Sequence, residues 1–306
     1  MKASEFRQQL KPWILPIAMV IGIIFHDYIG MVAFLSPCLI FIMLLITFCR
    51  VSANDFKITK FIWALLAVQI FGAIAAYLAI YPFSPDIAQG AFICIFCPTA
   101  TAAPVITGML GGSVPRLVTY SIFSNVAVAL LAPALFTLMG TGGDIRFLDS
   151  VMTICTKVFP LILAPLALAL LFQAFAPRVH HEIANRQSLS FYIWAVALII
   201  VVGNAVSFIM KEPADRIPEM LLIAFAALIA CCLQFLIGRK IGARLGDKIS
   251  GAQGLGQKNT VLAIWMALTY LNPIASVGPA AYVAWQNTIN SLQLFYKTKR
   301  DKKQSH

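Results

Sequence analysis

Apolar runs long enough to cross a bilayer recur along this chain, and short polar segments separate them. Crossing about 30 Å of hydrocarbon takes roughly 20 helical residues, fewer where a run is broken or sheltered. On that measure the pattern predicts ten helical spans: Pro12–His26, Met31–Cys49, Phe61–Ile80, Ile87–Leu110, Val114–Met139, Val151–Ala174, Leu189–Met210, Ile217–Ile237, Leu245–Leu271 and Pro273–Tyr296.

Two spans are interrupted. In the ninth, Gly251, Gly254 and Gly256 precede four consecutive polar residues, Gln257, Lys258, Asn259 and Thr260, before the apolar run resumes at Val261. Glycine weakens a helix by about 1 kcal/mol relative to alanine. Irregular backbone at membrane depth is tolerated only where protein or water satisfies its polar groups. In the fourth span, Pro98 and Pro104 flank Thr99–Ala103, and each proline removes a helical N–H donor. The breaks are expected near Thr99–Thr101 and Gly254–Lys258.

Span four of ten and span nine of ten occupy equivalent places in two sets of five. That arrangement predicts two five-helix repeats, residues 1–146 and 147–306, each with one discontinuous helix. Five is odd, so the repeats are inverted with respect to each other. The fold class expected is therefore an all-α membrane protein whose fourth and ninth spans cross. The facing half-helix N-termini would favour an anion, and the C-terminal carbonyls a cation.

Composition agrees with a membrane-embedded chain: 60% of residues are hydrophobic and 11% are charged, against about 25% charged in a soluble domain. The net charge of +11 would suit nucleic acid, but no basic helix is interleaved with aromatics. With a cytoplasmic N-terminus, eighteen Lys and Arg residues fall on inner segments. Three, Arg146, Lys211 and Arg216, fall outside. That bias places both termini in the cytoplasm and accounts for the charge without a nucleic-acid partner. The N-terminal segment reads as a span and not a cleavable leader, because residues 11–30 carry no small-residue cleavage pattern and more spans follow.

The candidate chemistry lies at the breaks. Thr99 and Thr101 belong to one, and Gln257, Lys258, Asn259 and Thr260 to the other. Ser121 and Asn125, four apart, share a face of span five. Lys258 lies ten residues past Lys248, about 15 Å of helix and too deep to reach the interface. Lys157 reads as an interfacial anchor near the outer end of span six. All twelve acidic residues lie in loops or at span ends, so no carboxylate is expected beside Lys258. Cys94 and Cys97 lie within an apolar run without a nearby His and read as packing residues, not a metal or redox pair. His180 and His181 read as a solvated pair. No nucleophile triad, zinc motif or phosphate loop is present, so no enzymatic activity is expected.

At the breaks the chain resembles a known family. Cys97-Pro98 with Thr101, then Val105-Ile106-Thr107 and Leu131-Ala132-Pro133, resembles the fourth and fifth spans of the bile acid:sodium symporter family. Gly256, Asn259 and Leu262-Ala263 resemble its ninth-span signature. The resemblance implies a panel domain of spans 1, 2, 6 and 7 and a core domain of spans 3, 4, 5, 8, 9 and 10. It also implies residence in a bacterial inner membrane. The departures bear on coupling. Gly254 stands where the family carries a sodium-binding glutamate, and Lys258 where it carries glutamine. Ala103-Pro104 stands where it carries a Ser-Asn pair.

The expectation drawn from these residues is a secondary transporter for a small organic anion. Lys258 would replace a sodium ion, so no metal and no cofactor is expected, and a proton is the alternative coupling ion. Either Thr260, Ser121 and Asn125 supply oxygens to the ammonium together with half-helix carbonyls, or the anionic substrate itself is its partner and the lysine loses its proton when the site is empty. The competing readings are a sodium-coupled bile acid or organic anion symporter and, in another class, a non-transporting membrane sensor or intramembrane enzyme.

Overall fold

A computed structural model of the chain describes residues 3–49, 57–100, 102–139, 152, 156, 164–211 and 214–304. Among these residues the regular structure is helical, and the one extended contact is an isolated antiparallel bridge between Thr99 and Lys258. In chain order the helices are α1 (Ala3–Ile24), α2 (His26–Ile29), α3 (Leu35–Phe48), α4 (Lys60–Ile80), α5 (Pro85–Phe96), α6 (Ala103–Leu110), α7 (Val114–Leu138), α8 (Ala164–Phe175), α9 (Pro177–Ala184), α10 (Gln187–Ile209), α11 (Ile217–Arg244), α12 (Lys248–Gly256), α13 (Thr260–Tyr270) and α14 (Val277–Gln304).

Among the described residues, four segments are long and apolar enough to cross a membrane: Lys60–Ile80, Val114–Ala132, Tyr192–Ile209 and Ala214–Arg244. Trp13–Ile24 and His26–Val32, bent by 86°, make a fifth if the pair counts as one span. Pro37–Ile46, Pro85–Phe96, Ala164–Phe175 and Thr260–Tyr270 are shorter apolar helices. Thr101, Lys157, the boundary at 146 and part of the expected sixth span lie outside the described residues.

The interrupted stretches break where their caps dictate. Ser84 opens α5 by accepting a hydrogen bond from the Ile87 N–H at 3.3 Å, with Pro85 at the first helical position. The Asp247 carboxylate opens α12 by accepting from Ile249 and Ser250 N–H groups at 3.1 and 2.9 Å. Asn259 opens α13 by accepting from the Leu262 N–H at 3.2 Å. The structure corrects two details of the sequence reading. Gly251 and Gly254 do not loosen the helix; both lie inside α12, which ends only at Gly256. Pro104 does not interrupt a helix either, because it sits in the first turn of α6, where a missing N–H costs little.

The glycines instead make room for neighbours. A Cβ on Gly251 would lie 2.2 Å from the Gly238 carbonyl oxygen of α11. One on Gly254 would lie 2.9 Å from the Tyr120 ring of α7. Elsewhere, α1 and α3 pack against α10, while α11 packs against α5, α12 and α14. An aromatic column crosses the interior. Phe92 stacks on Phe96 at 5.0 Å, and Phe136 stacks on Tyr270 at 5.1 Å.

Candidate functional site at the paired helix breaks

The two non-helical segments satisfy one another. The Ala100 N–H donates to the Gln257 carbonyl at 3.0 Å, and the Asn259 N–H donates to the Pro98 carbonyl at 2.8 Å. These bonds flank the Thr99–Lys258 bridge. Backbone that has left its helix thus keeps its hydrogen bonds inside the protein, as apolar surroundings demand.

Lys258 is 1% exposed. Its Nζ donates to the carbonyls of Ile95 at 2.8 Å and Cys97 at 3.1 Å. These carbonyls lie at the C-terminal end of α5, where a helix carries partial negative charge and a cation is favoured. The Lys258 main chain is held as well. Its N–H donates to Gln286 Oε1 at 2.8 Å, and Gln286 Nε2 donates to its carbonyl at 3.3 Å. Thr260, Ser121 and Asn125 were expected to supply oxygens to the ammonium; instead, both of its hydrogen bonds end on main-chain carbonyls. Asn125 Nδ2 donates to the Ser121 carbonyl at 2.7 Å, and Asn125 Oδ1 has no partner.

Thr99 answers Lys258 from the other break. Its hydroxyl donates to the Gly254 carbonyl near the end of α12 at 2.9 Å, and its N–H donates to Ser124 Oγ at 3.4 Å. Ser124 and Tyr120 hydroxyls both donate to Gln69 Oε1, at 2.8 and 2.7 Å. Gln69 Nε2 donates to the Phe96 and Cys97 carbonyls at 2.8 and 3.2 Å. Across the break, Gln234 Nε2 donates to the Cys94 carbonyl at 3.2 Å and to the Tyr282 hydroxyl at 3.0 Å. Tyr282 in turn donates to the Gly256 carbonyl at 2.9 Å. Each half-helix C-terminus is therefore capped from several sides. Gln69, Gln234, Tyr282 and Gln286 were not singled out from the sequence. The available signal was an isolated amide or phenol within a long apolar helix, which needs a partner once buried.

A cavity of about 410 Å³ adjoins the breaks. Ala33, Pro37, Met43, Trp194, Leu198 and Asn204 line one side, and Ala100, Ala102, Gln257–Leu262, Trp265, Gln286 and Asn287 line the other. Among the described residues, no Asp or Glu lines the cavity. Gln257 is 2% exposed, yet neither amide atom has a hydrogen-bond partner. Of the expected site residues, Gln257, Lys258, Asn259 and Thr260 line the cavity. Thr99, Ser121 and Asn125 do not line it. Among the described residues, no group of three or more His, Cys, Asp or Glu is placed to hold a metal ion.

No protein-family model matches the chain. Over 226 residues it is 22% identical to an uncharacterized sodium-dependent transporter, YocS, of Bacillus subtilis (strain 168); the match covers 71% of this chain and 66% of that protein. The chain thus spans just under two thirds of the length of the relative it matches.

Proposed function

We propose that the protein is a secondary transporter that moves a small organic anion across a bacterial inner membrane without binding sodium. One observation carries the reading: the Lys258 ammonium is seated on the Ile95 and Cys97 carbonyls at the helix crossing. There it supplies a fixed positive charge where a cation would otherwise be needed to offset carbonyl dipoles. The adjoining cavity fits a partly apolar anion. It offers amide and hydroxyl donors and two tryptophans, and among the described residues no carboxylate lines it to repel the ligand. The similarity to a protein named as a transporter supports the class.

The reading includes ten spans in two inverted repeats with cytoplasmic termini, arranged as a panel and a core. Paired contacts support the repeat. Tyr120 bonds Gln69 in the first half and Tyr282 bonds Gln234 in the second. Four residues after each tyrosine, Ser124 and Gln286 accept the N–H of Thr99 and Lys258.

Uptake of carboxylate substrates into proteoliposomes under imposed sodium or proton gradients tests the proposal. The native protein is expected to show no sodium stimulation. Lys258→Gln is expected to lower uptake about tenfold, the scale of losing a charge-assisted hydrogen bond, while Thr288→Ala on an exposed helix face leaves it unchanged. A sodium-coupled symporter is the second reading, favoured by the name of the relative. Strong sodium stimulation of the native protein would establish that reading in place of the first.

A further inference from the structure

A second cavity, of about 290 Å³, lies among the ends of α11, α12 and α14 that carry the basic residues. Arg239, Lys248, Lys297 and Arg300 line it together with Gln293 and Tyr296. These four cations come from three helices and meet in one concavity. Lys297 pairs with Asp301 at 3.4 Å. Arg239, Lys248 and Arg300 form no ion pair among the described residues. The nearby Asp247 carboxylate is taken up by N–H groups of Ser113, Ile249 and Ser250 and by the Ser250 hydroxyl. Asp301 offsets one of the four charges; the other three repel one another, and a bound phosphate removes that repulsion. Two guanidinium forks and a phenol supply donors that match phosphate oxygens.

From this geometry we infer that the cavity holds the phosphate head group of an anionic phospholipid of the inner leaflet. The exposed apolar side chains beside it favour a lipid over a soluble phosphate. Leu236 lies one turn before Arg239 on α11, and Leu292 lies one turn before Tyr296 on α14. They are 55% and 52% exposed. They continue from the basic rim along the apolar flank of the same two helices, where an acyl chain would lie below its head group. The charge bias of the sequence puts this rim on the cytoplasmic side, where basic pockets between helices meet anionic head groups. The cavity is separate from the one at the helix breaks and has no lining residue in common with it.

The test uses the purified, delipidated full chain, with bound lipid counted by native mass spectrometry. Phosphatidylglycerol, phosphatidylcholine and inorganic pyrophosphate are added in separate arms. Phosphatidylglycerol is expected to bind in preference to phosphatidylcholine. Arg239→Gln with Arg300→Gln is expected to weaken that binding about thirtyfold, from the loss of two basic contacts. Lys240→Gln with Lys299→Gln removes the same charge outside the cavity and is expected to leave binding intact. Arg300→Gln alone, on an exposed last turn, is expected to weaken binding about fivefold and keeps the test open if the double variant does not fold. Equal binding of the two lipids overturns the proposal, as does equal loss in both double variants. Binding of pyrophosphate without phosphatidylglycerol would make this a soluble-phosphate site and overturn the lipid assignment.

Discussion

Thr99 and Lys258 face each other across the bridge, and each bonds a carbonyl near the end of the opposite half-helix. A neutral hydrogen bond is worth about 1 kcal/mol net, and one from a charged donor about 1.5–3 kcal/mol. Thr99→Val is therefore expected to cost about 1 kcal/mol of stability and Lys258→Met about 2–3 kcal/mol, measured by thermal unfolding in detergent. Replacing a buried charge with an apolar side chain can also stabilise a protein. A higher melting temperature for Lys258→Met would mean the carbonyl seat does not repay the desolvation of the ammonium. The ammonium was legible in the sequence because a lysine between apolar runs stands out. Its partners were not, because main-chain carbonyls leave no trace in residue identity. The same limit applies to Gly254. A glutamate there, as in the family the sequence resembles, needs space that the Tyr120 ring fills, and no sequence pattern relates those two positions.

At the scale of elements, the interruptions were legible and their exact causes were not. Prolines and a polar run mark α5–α6 and α12–α13 as broken, but the glycines of α12 serve packing. Gly238 and Gly242 on α11 are four apart, and Gly251 of α12 lies against both, its Cβ position 2.2 Å from the Gly238 oxygen and 2.8 Å from the Gly242 Cα. Small residues at this spacing let membrane helices approach closely and gain dispersion contacts. A methyl group at Gly251 would meet backbone, which cannot rotate away as a side chain can. Gly251→Ala is therefore expected to destabilise the protein by about 1–3 kcal/mol and to shift its size-exclusion profile toward aggregates. Gly30→Ala is the comparison, because a Cβ there meets nothing within 4 Å; equal behaviour of the two variants would exclude a packing role for Gly251.

At the scale of the whole molecule, helix length alone identifies four or five spans among the described residues, while the pattern of apolar runs argues for ten. Part of the difference arises because a span need not be one long helix. Here α5 and α6 together, and α12 and α13 together, cover the two broken stretches with pieces too short to cross alone. Charge distribution is independent of helix length and gives a separate test. If ten spans place both termini inside, the loop at 142–144 is extracellular and α9, with His180 and His181 on it, is cytoplasmic. A single cysteine at position 143, in a background without the native cysteines, is expected to react with an impermeant maleimide added to intact cells. One at His181, exposed on α9, is expected to react only after permeabilisation. The two positions are separated by one expected span, so any odd number of crossings between them puts them on opposite faces. Labelling of both from the same side would leave an even number of crossings there. It would remove the basis for equating α5–α6 with α12–α13, since the halves would no longer be inverted copies.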